Sequence, residues 1–488
     1  MKKEILFFLF AGGVLSGWGQ PSTICNEDGT VTFKYRNDNA KEVLVDVQFA
    51  GRNPMVRDAE GVWTATLGPA APDMYPYCFV VDGISVMDPE NDQYFPNEGF
   101  KNSLLEIPAP EGELVHDIKE VPHGSVEYIH YYSNSLGATN NAVVYLPPSY
   151  GNNPDNKYPV FYLISGTTDT DEVYYKVGRV NYILDNLIAE GNAEEMIVVL
   201  PYGNPTKLLT TPPQDMMAMG DVFGKDITSD LMPYIEKNYR TINDSDHRAI
   251  GGFSRGGNQG LACGLTNLNK FSYLCSYSSF TSTALPEVYD NAEDTNGKIH
   301  LFWLGVGTDD FLYGNARDYM EFLDNKGIRS VKEFTHDKYG HTWMNAKYFL
   351  DKTLRLLFRP EAAEEAMYNG QPALAATGKE QQFTPGVMAR LFPRPILSPE
   401  YKADGIVFRF KAPDAVNVML VAECLQNPLE MKRDSEGVWE VELNDNFKDS
   451  FTYYFIVYDM PIADHLNIYL EASKGLKQIR CFHTEIPF

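Results

Sequence analysis

The two ends of this chain repeat each other, and that repeat limits the architecture more than any motif does. Asp28-Gly29-Thr30-Val31-Thr32-Phe33 recurs as Asp404-Gly405-Ile406-Val407-Phe408, and Asn39-Ala40-Lys41-Glu42-Val43 as Asp414-Ala415-Val416-Asn417-Val418. Glu60-Gly61-Val62-Trp63 returns as Glu436-Gly437-Val438-Trp439, and Tyr75-Pro76-Tyr77-Cys78-Phe79 as Phe451-Thr452-Tyr453-Tyr454-Phe455. The separation stays at 375 or 376 residues, so one domain occurs twice, over residues 24–108 and 398–488. Each copy alternates apolar and polar positions (Val43, Val45, Val47; Tyr75, Tyr77, Phe79, Val81) between turn formers such as Asp82-Gly83 and Asp88-Pro89. Short alternating strands with such turns predict a small antiparallel β-sandwich. Trp63, Trp439, Tyr77 and Tyr453 recur at equivalent strand positions, which reads as core rather than as a ligand platform.

Between the copies the pattern changes. Residues 159–164 and 196–200 are continuous apolar runs, as strands buried on both faces of a parallel sheet require. They flank a helical stripe of Val180, Ile183, Leu184, Leu187 and Ile188 that stops at Gly191. The order continues through residues 227–239, 249–251, 273–277 and 299–304, which predicts an α/β domain over residues 120–360. Residues 361–397, with Pro385, Pro393 and Pro395, lack enough periodic apolar positions to close a core and read as a linker.

Met1-Lys2-Lys3-Glu4, an apolar run over residues 5–15, and Ser16-Gly17-Trp18-Gly19 before Gln20 have the layout of a signal peptide. Cleavage is expected after Gly19, and with it export to the periplasm or the exterior. The run is too short to span a bilayer. An excess of 66 acidic over 41 basic residues, a formal charge of −25, disfavours nucleic acid and anionic lipid as partners. Six scattered cysteines leave Cys263–Cys275 and Cys25–Cys78 as conceivable bridges in an exported chain. No Cys or His spacing suggests a metal site, and no cofactor is expected.

Inside the α/β segment, Gly252-Phe253-Ser254-Arg255-Gly256 follows a short apolar strand and precedes a run of small residues. G-x-S-x-G between strand and helix lifts a serine out of a sheet as a nucleophile, and the acid and histidine then follow later in the chain. Both are present. Gly307-Thr308-Asp309-Asp310-Phe311 follows residues 299–304, and Gly340-His341-Thr342-Trp343 follows residues 330–335. His341 takes the Ser254 proton and returns it to the leaving alkoxide, while the aspartate fixes the imidazole tautomer. His336, at the end of the strand, is the weaker choice of base, and spacing alone does not separate Asp310 from Asp309. The oxyanion donors are the Arg255 amide and an amide of the loop Ser165-Gly166-Thr167-Thr168-Asp169, either Gly166 or Thr167.

Residues 120–360 resemble the esterase D and feruloyl esterase group of carbohydrate esterase family 1. The resemblance rests on residues 158–163, Gly178-Arg179-Val180-Asn181, residues 184–191, Gly252-Phe253-Ser254-Arg255-Gly256-Gly257, residues 307–313 and Gly340-His341-Thr342-Trp343. It implies an α/β-hydrolase fold and places the acid at Asp310. The end domains look like the immunoglobulin-like family 48 carbohydrate-binding modules. Together these imply a secreted serine esterase cleaving feruloyl or acetyl esters of plant cell-wall polysaccharide such as arabinoxylan, or of its oligosaccharides. One departure stands out: the family usually has His-Gly where this chain has Ser165-Gly166. Trp343 and Tyr313 are candidates for an acyl or sugar pocket, Leu208 to Gly220 for a cover over the cleft, and Asp171 and Glu172 for its entrance. Two other readings share these features, a siderophore-type esterase and a carbohydrate-binding protein with an impaired hydrolase domain.

Overall fold

Strands whose residues are apolar on both faces need cover on both sides, and the centre of the chain supplies it. The computed structural model describes residues 21–110, 113–204, 216–336, 340–380, 396, 398–402, 405–444, 451–464, 466–467 and 479–481. The central sheet has eight strands: β1 (Ser125–Ser133), β2 (Ala138–Leu146), β3 (Val160–Ile164), β4 (Ile197–Pro201), β5 (Arg248–Phe253), β6 (Tyr273–Tyr277), β7 (Leu301–Gly307) and β8 (Val331–Thr335). Their order is β1-β2-β4-β3-β5-β6-β7-β8, antiparallel over the first three and parallel from β4 onward. β3 to β7 are buried at every residue, as their unbroken apolar sequence requires.

Helices pack on this sheet through spaced apolar positions. α1 (Val180–Ala189) buries Val180, Ile183, Leu184 and Leu187, each stabilising by roughly 1.5–3 kcal/mol, and ends before Gly191 at φ 71. α2 (Arg255–Leu265) follows β5, α3 (Tyr313–Lys326) follows β7, and α4 (Trp343–Leu354) follows β8. A further helix, α5 (Pro360–Tyr368), buries Ala363 and Met367 on the same core, so the central unit runs past residue 360 into the predicted linker. The Leu208-to-Gly220 segment lies largely outside the described residues, as does the N-terminal apolar run. No helix among the described residues is long and apolar enough to cross a membrane.

The repeat is visible strand by strand. In the first copy Thr23–Cys25, Val31–Arg36, Val62–Leu67 and Val56–Arg57 form one antiparallel sheet; in the second Glu400–Lys402, Gly405–Lys411, Val438–Leu443 and Lys432–Arg433 form its counterpart. Gly51–Pro54, Val43–Val47 and Asp73–Val81 likewise match Leu429–Glu430, Val418–Ala422 and Phe451–Val457. The same buried polar cluster recurs. Tyr77 donates to Asp88 at 2.6 Å and accepts from Asn91 at 3.0 Å, while Tyr453 donates to Asp464 at 2.7 Å and accepts from Asn467 at 3.1 Å. Trp63 and Trp439 each donate an indole N–H to a backbone carbonyl, of Asn37 and Ala412. All four repeated aromatics are buried, as core residues are.

The two end units share one continuous apolar cluster, joined where Met460 meets Tyr35 and Asn37. The first also touches the central unit through a buried ion pair between Asp73 and Lys347 of α4. Cys25, Cys78, Cys263 and Cys275 are free thiols. Neither conceivable bridge, Cys25–Cys78 or Cys263–Cys275, is therefore formed; the Cys25 thiol instead faces Glu106 O at 3.8 Å.

Candidate active site

The turn from β5 into α2 puts Ser254 at φ 57, ψ −121, a conformation that side chains other than glycine rarely adopt. The flanking glycines are dictated by proximity. A Cβ on Gly252 would lie 2.1 Å from the Ile164 carbonyl oxygen, and one on Gly256 would lie 2.1 Å from that oxygen and 2.5 Å from the Ser165 carbonyl oxygen. The turn is thereby pressed against the end of β3. The Ser254 amide donates to Tyr277 O at 2.8 Å. The Arg255 amide, first in α2, has no intrahelical acceptor and lies at the positive end of the helix dipole.

Three strand ends bring Ser254, Asp310 and His341 together. His341 Nε2 lies 2.8 Å from Ser254 Oγ, and its Nδ1 lies 3.0 and 2.9 Å from the two oxygens of Asp310. The Asp310 side chain is fully buried and Oδ1 also accepts from the Leu312 amide at 2.8 Å. Asp309 is exposed, which distinguishes the two neighbours that spacing left equal. His336 is also exposed, and its Nδ1 lies 3.4 Å from Thr308 Oγ1. The turn carrying His341 is held by Asn345, which donates to Gly340 O and accepts from Thr335.

The loop after β3 lies against this elbow, with Ser165 almost fully buried and its hydroxyl turned back to Asp169 O at 3.4 Å. Arg255 reaches across from α2 and donates to Thr167 O at 2.7 Å. Burial pulls the Arg255 guanidinium down to about 10, with Tyr202 and Asp169 opposing. Burial pushes the Asp169 carboxyl up to about 6, against the pull of Arg255, Asn97, the Gly166 amide and His341. Asp169 Oδ2 lies 2.7 Å from where a Cβ on Gly166 would sit, so this carboxyl borders the loop that carries the two candidate oxyanion amides, Gly166 and Thr167.

Aromatic rings close around the histidine. Phe253 lies 4.7 Å and Phe311 4.3 Å from the His341 ring centre, and Phe311 is 36% exposed. Trp343 packs one layer deeper, between Phe253 and Tyr174. Tyr313, in the first turn of α3, packs on Phe334. Phe311 was not singled out from the sequence, although it adjoins Asp310 in the motif. Glu172 accepts from the hydroxyls of Tyr94 and Tyr128 and pairs with Lys176. Burial, then Glu172, pushes its neighbour Asp171 up to about 7.

Residues 133–349 match the family described as "Putative esterase". A curated relative, the endo-1,4-beta-xylanase/feruloyl esterase of Xylanibacter ruminicola, is 29% identical over 350 residues, 70% of this chain and 46% of the relative. The chain thus spans less than half the length of that relative. Among solved structures, a ferulic acid esterase is 26% identical with a TM-score of 0.42, over 49% of this chain and 98% of the other. The enterobactin esterase of Shigella flexneri is 17% identical with a TM-score of 0.50, over 68% and 94% of the two chains, a likeness of fold alone.

Proposed function

We propose that this chain, whose central domain is an esterase of the carbohydrate esterase family 1 kind, is an exported serine carboxylic-ester hydrolase acting on feruloyl or acetyl esters of plant cell-wall polysaccharide. The unbroken run of hydrogen bonds from Ser254 through His341 to buried Asp310 carries the reading. The 29% likeness to a protein named as xylanase and feruloyl esterase supports the substrate class.

In this scheme His341 Nε2 takes the Ser254 proton as Oγ attacks the ester carbonyl. The imidazolium so formed is stabilised by Asp310 through Nδ1. The tetrahedral oxyanion accepts hydrogen bonds from the Arg255 amide and from one amide of the facing loop, Gly166 or Thr167. His341 then protonates the departing sugar alkoxide, the acyl group stays on Ser254, and a water activated by His341 releases the acid. The exposed ring of Phe311 beside His341 offers an apolar wall to an aromatic acyl group. The end units are read as immunoglobulin-like sandwiches that buttress the central domain. Their repeated Trp and Tyr residues are core, so any glycan contact falls on other side chains.

Hydrolysis of methyl ferulate, acetylated xylan and a triscatecholate ester, each by wild type and Ser254→Ala, tests the proposal. Turnover of ferulate or acetyl esters that vanishes in Ser254→Ala is expected. Turnover of the triscatecholate ester alone would reassign the substrate. Xylan binding without hydrolysis of any ester would overturn the enzyme reading.

A further inference from the structure

The loop that faces the nucleophile is gripped by a segment of the first end unit. Residues 96–98 run antiparallel to residues 168–170: the Glu98 amide donates to Thr168 O at 2.6 Å, the Thr170 amide donates to Pro96 O at 3.4 Å, and Asn97 pairs with Asp169. The Asn97 side chain is 2% exposed, and its orientation is fixed from its own side. Its Oδ1 accepts from the Gly99 amide at 2.8 Å and the Phe100 amide at 3.3 Å. Only Nδ2 is then left to face the loop, and it donates to Thr168 Oγ1 at 2.8 Å and Asp169 Oδ1 at 3.1 Å. The other oxygen of Asp169 lies on the Gly166 side, 2.7 Å from where a Cβ on Gly166 would sit. Asn97, Asp169 and Gly166 thus form a short polar relay that ends beside the elbow, while Arg255 holds Thr167 O from the opposite side.

We propose that Asn97 is a positioning residue for the reaction: from a different folding unit, it sets the conformation of the oxyanion loop through Asp169. The proposal rests on the serine-esterase reading above. Neither bond reaches substrate, so Asn97 acts only through the placement of the Gly166–Thr167 backbone. Loop carbonyls are tied outward to Glu98 and Arg255, which keeps amide donors rather than acceptors turned to the developing negative charge. Loss of a whole oxyanion donor costs about 10²–10³ in kcat, and a displaced one correspondingly less.

Asn97→Asp keeps the shape but sets a second carboxylate against Asp169. Expected is a fall in kcat on methyl ferulate of about 10–100-fold with KM within about threefold. An arylboronic acid, which adds Ser254 Oγ and holds a charged oxygen where the oxyanion forms, loses affinity by a similar factor, while ferulate as product inhibitor does not. The double variant Asn97→Asp/Asp169→Asn, which reverses donor and acceptor, recovers kcat to within about fivefold of wild type. Asn97→Ala, without the added charge, shows the same split if Asn97→Asp is not obtained folded. Unchanged kcat in a folded Asn97 variant overturns the proposal, as does a kcat loss with boronate affinity intact. Failure of the esterase reading looks different: wild type then neither hydrolyses esters nor binds the boronate.

Discussion

Replacing Asp310 with Asn isolates the charge that orients the histidine. The carboxylate has no side-chain exposure, its two oxygens face His341 Nδ1 at 3.0 and 2.9 Å, and Oδ1 serves the Leu312 amide as well. An amide of the same shape keeps one oxygen but sets an NH2 group against Nδ1 in either orientation. Nδ1 must then accept, the imidazole proton moves to Nε2, and it points at Ser254 Oγ across 2.8 Å. A histidine in that tautomer cannot remove the serine proton, and kcat falls by about 10⁴, or about 5.5 kcal/mol of transition-state stabilisation. The fold survives, because volume and the Leu312 hydrogen bond are retained. The assay is methyl ferulate turnover, with active sites counted by fluorophosphonate labelling of wild type and thermal melts as the control for folding. Exposed Asp309→Asn, measured beside it, stays within about twofold. A folded Asp310→Asn protein that loses less than about tenfold in kcat, or an equal loss in Asp309→Asn, refutes the assignment.

Other outcomes follow from the same geometry. Gly256→Ala forces a Cβ onto two backbone oxygens at 2.1 and 2.5 Å, so the elbow must open and both melting temperature and kcat fall; wild-type values would disprove that packing. Tyr77→Phe and Tyr453→Phe each strip the hydroxyl from a buried Tyr-Asp-Asn cluster and cost about 1–3 kcal/mol in denaturant titrations, with similar losses in the two copies. Burial pushes Asp464 up to about 6 from the ordinary 3.8, against hydrogen bonds from Ser398, Tyr453 and the Leu466 amide. Between those values the folded chain holds a proton that the unfolded chain has released. Its contribution to stability is therefore full below pH 3.8 and is lost as pH rises to about 6. Asp464→Asn should flatten that fall in melts across the window, and an unaltered profile counts against it.

The repeat and the order Ser254, Asp310, His341 were legible because each rests on local pattern: turn chemistry, strand period, and motifs at strand ends. What escaped was non-local or locally ambiguous. The antiparallel hairpin Ser125–Ser133 and Ala138–Leu146 has a mixed pattern, because its outer strand is exposed at Tyr128, His130 and Tyr132. The helix Pro360–Tyr368 is short and Glu-rich, and only Ala363 and Met367 betray its buried face. The grip of Asn97 on the loop at 168–170 joins positions 72 apart in different units, where no periodicity carries a signal. Trp343 was legible as near the site but not as lying behind Phe253, since layering is set by packing rather than by sequence distance.

The shared core of the end units also has a consequence in time. Tyr35 and its partner Met460 are 425 residues apart, and translation proceeds at about 5–20 residues per second, so the first unit exists for roughly 20–80 s before the strand that covers its rim leaves the ribosome. During that interval the whole esterase domain emerges and folds beside an unfinished apolar seam. Until the strand bearing Met460 has been made, the Tyr35 rim lacks the side chain that covers it, and an uncovered apolar rim on a nascent chain invites association.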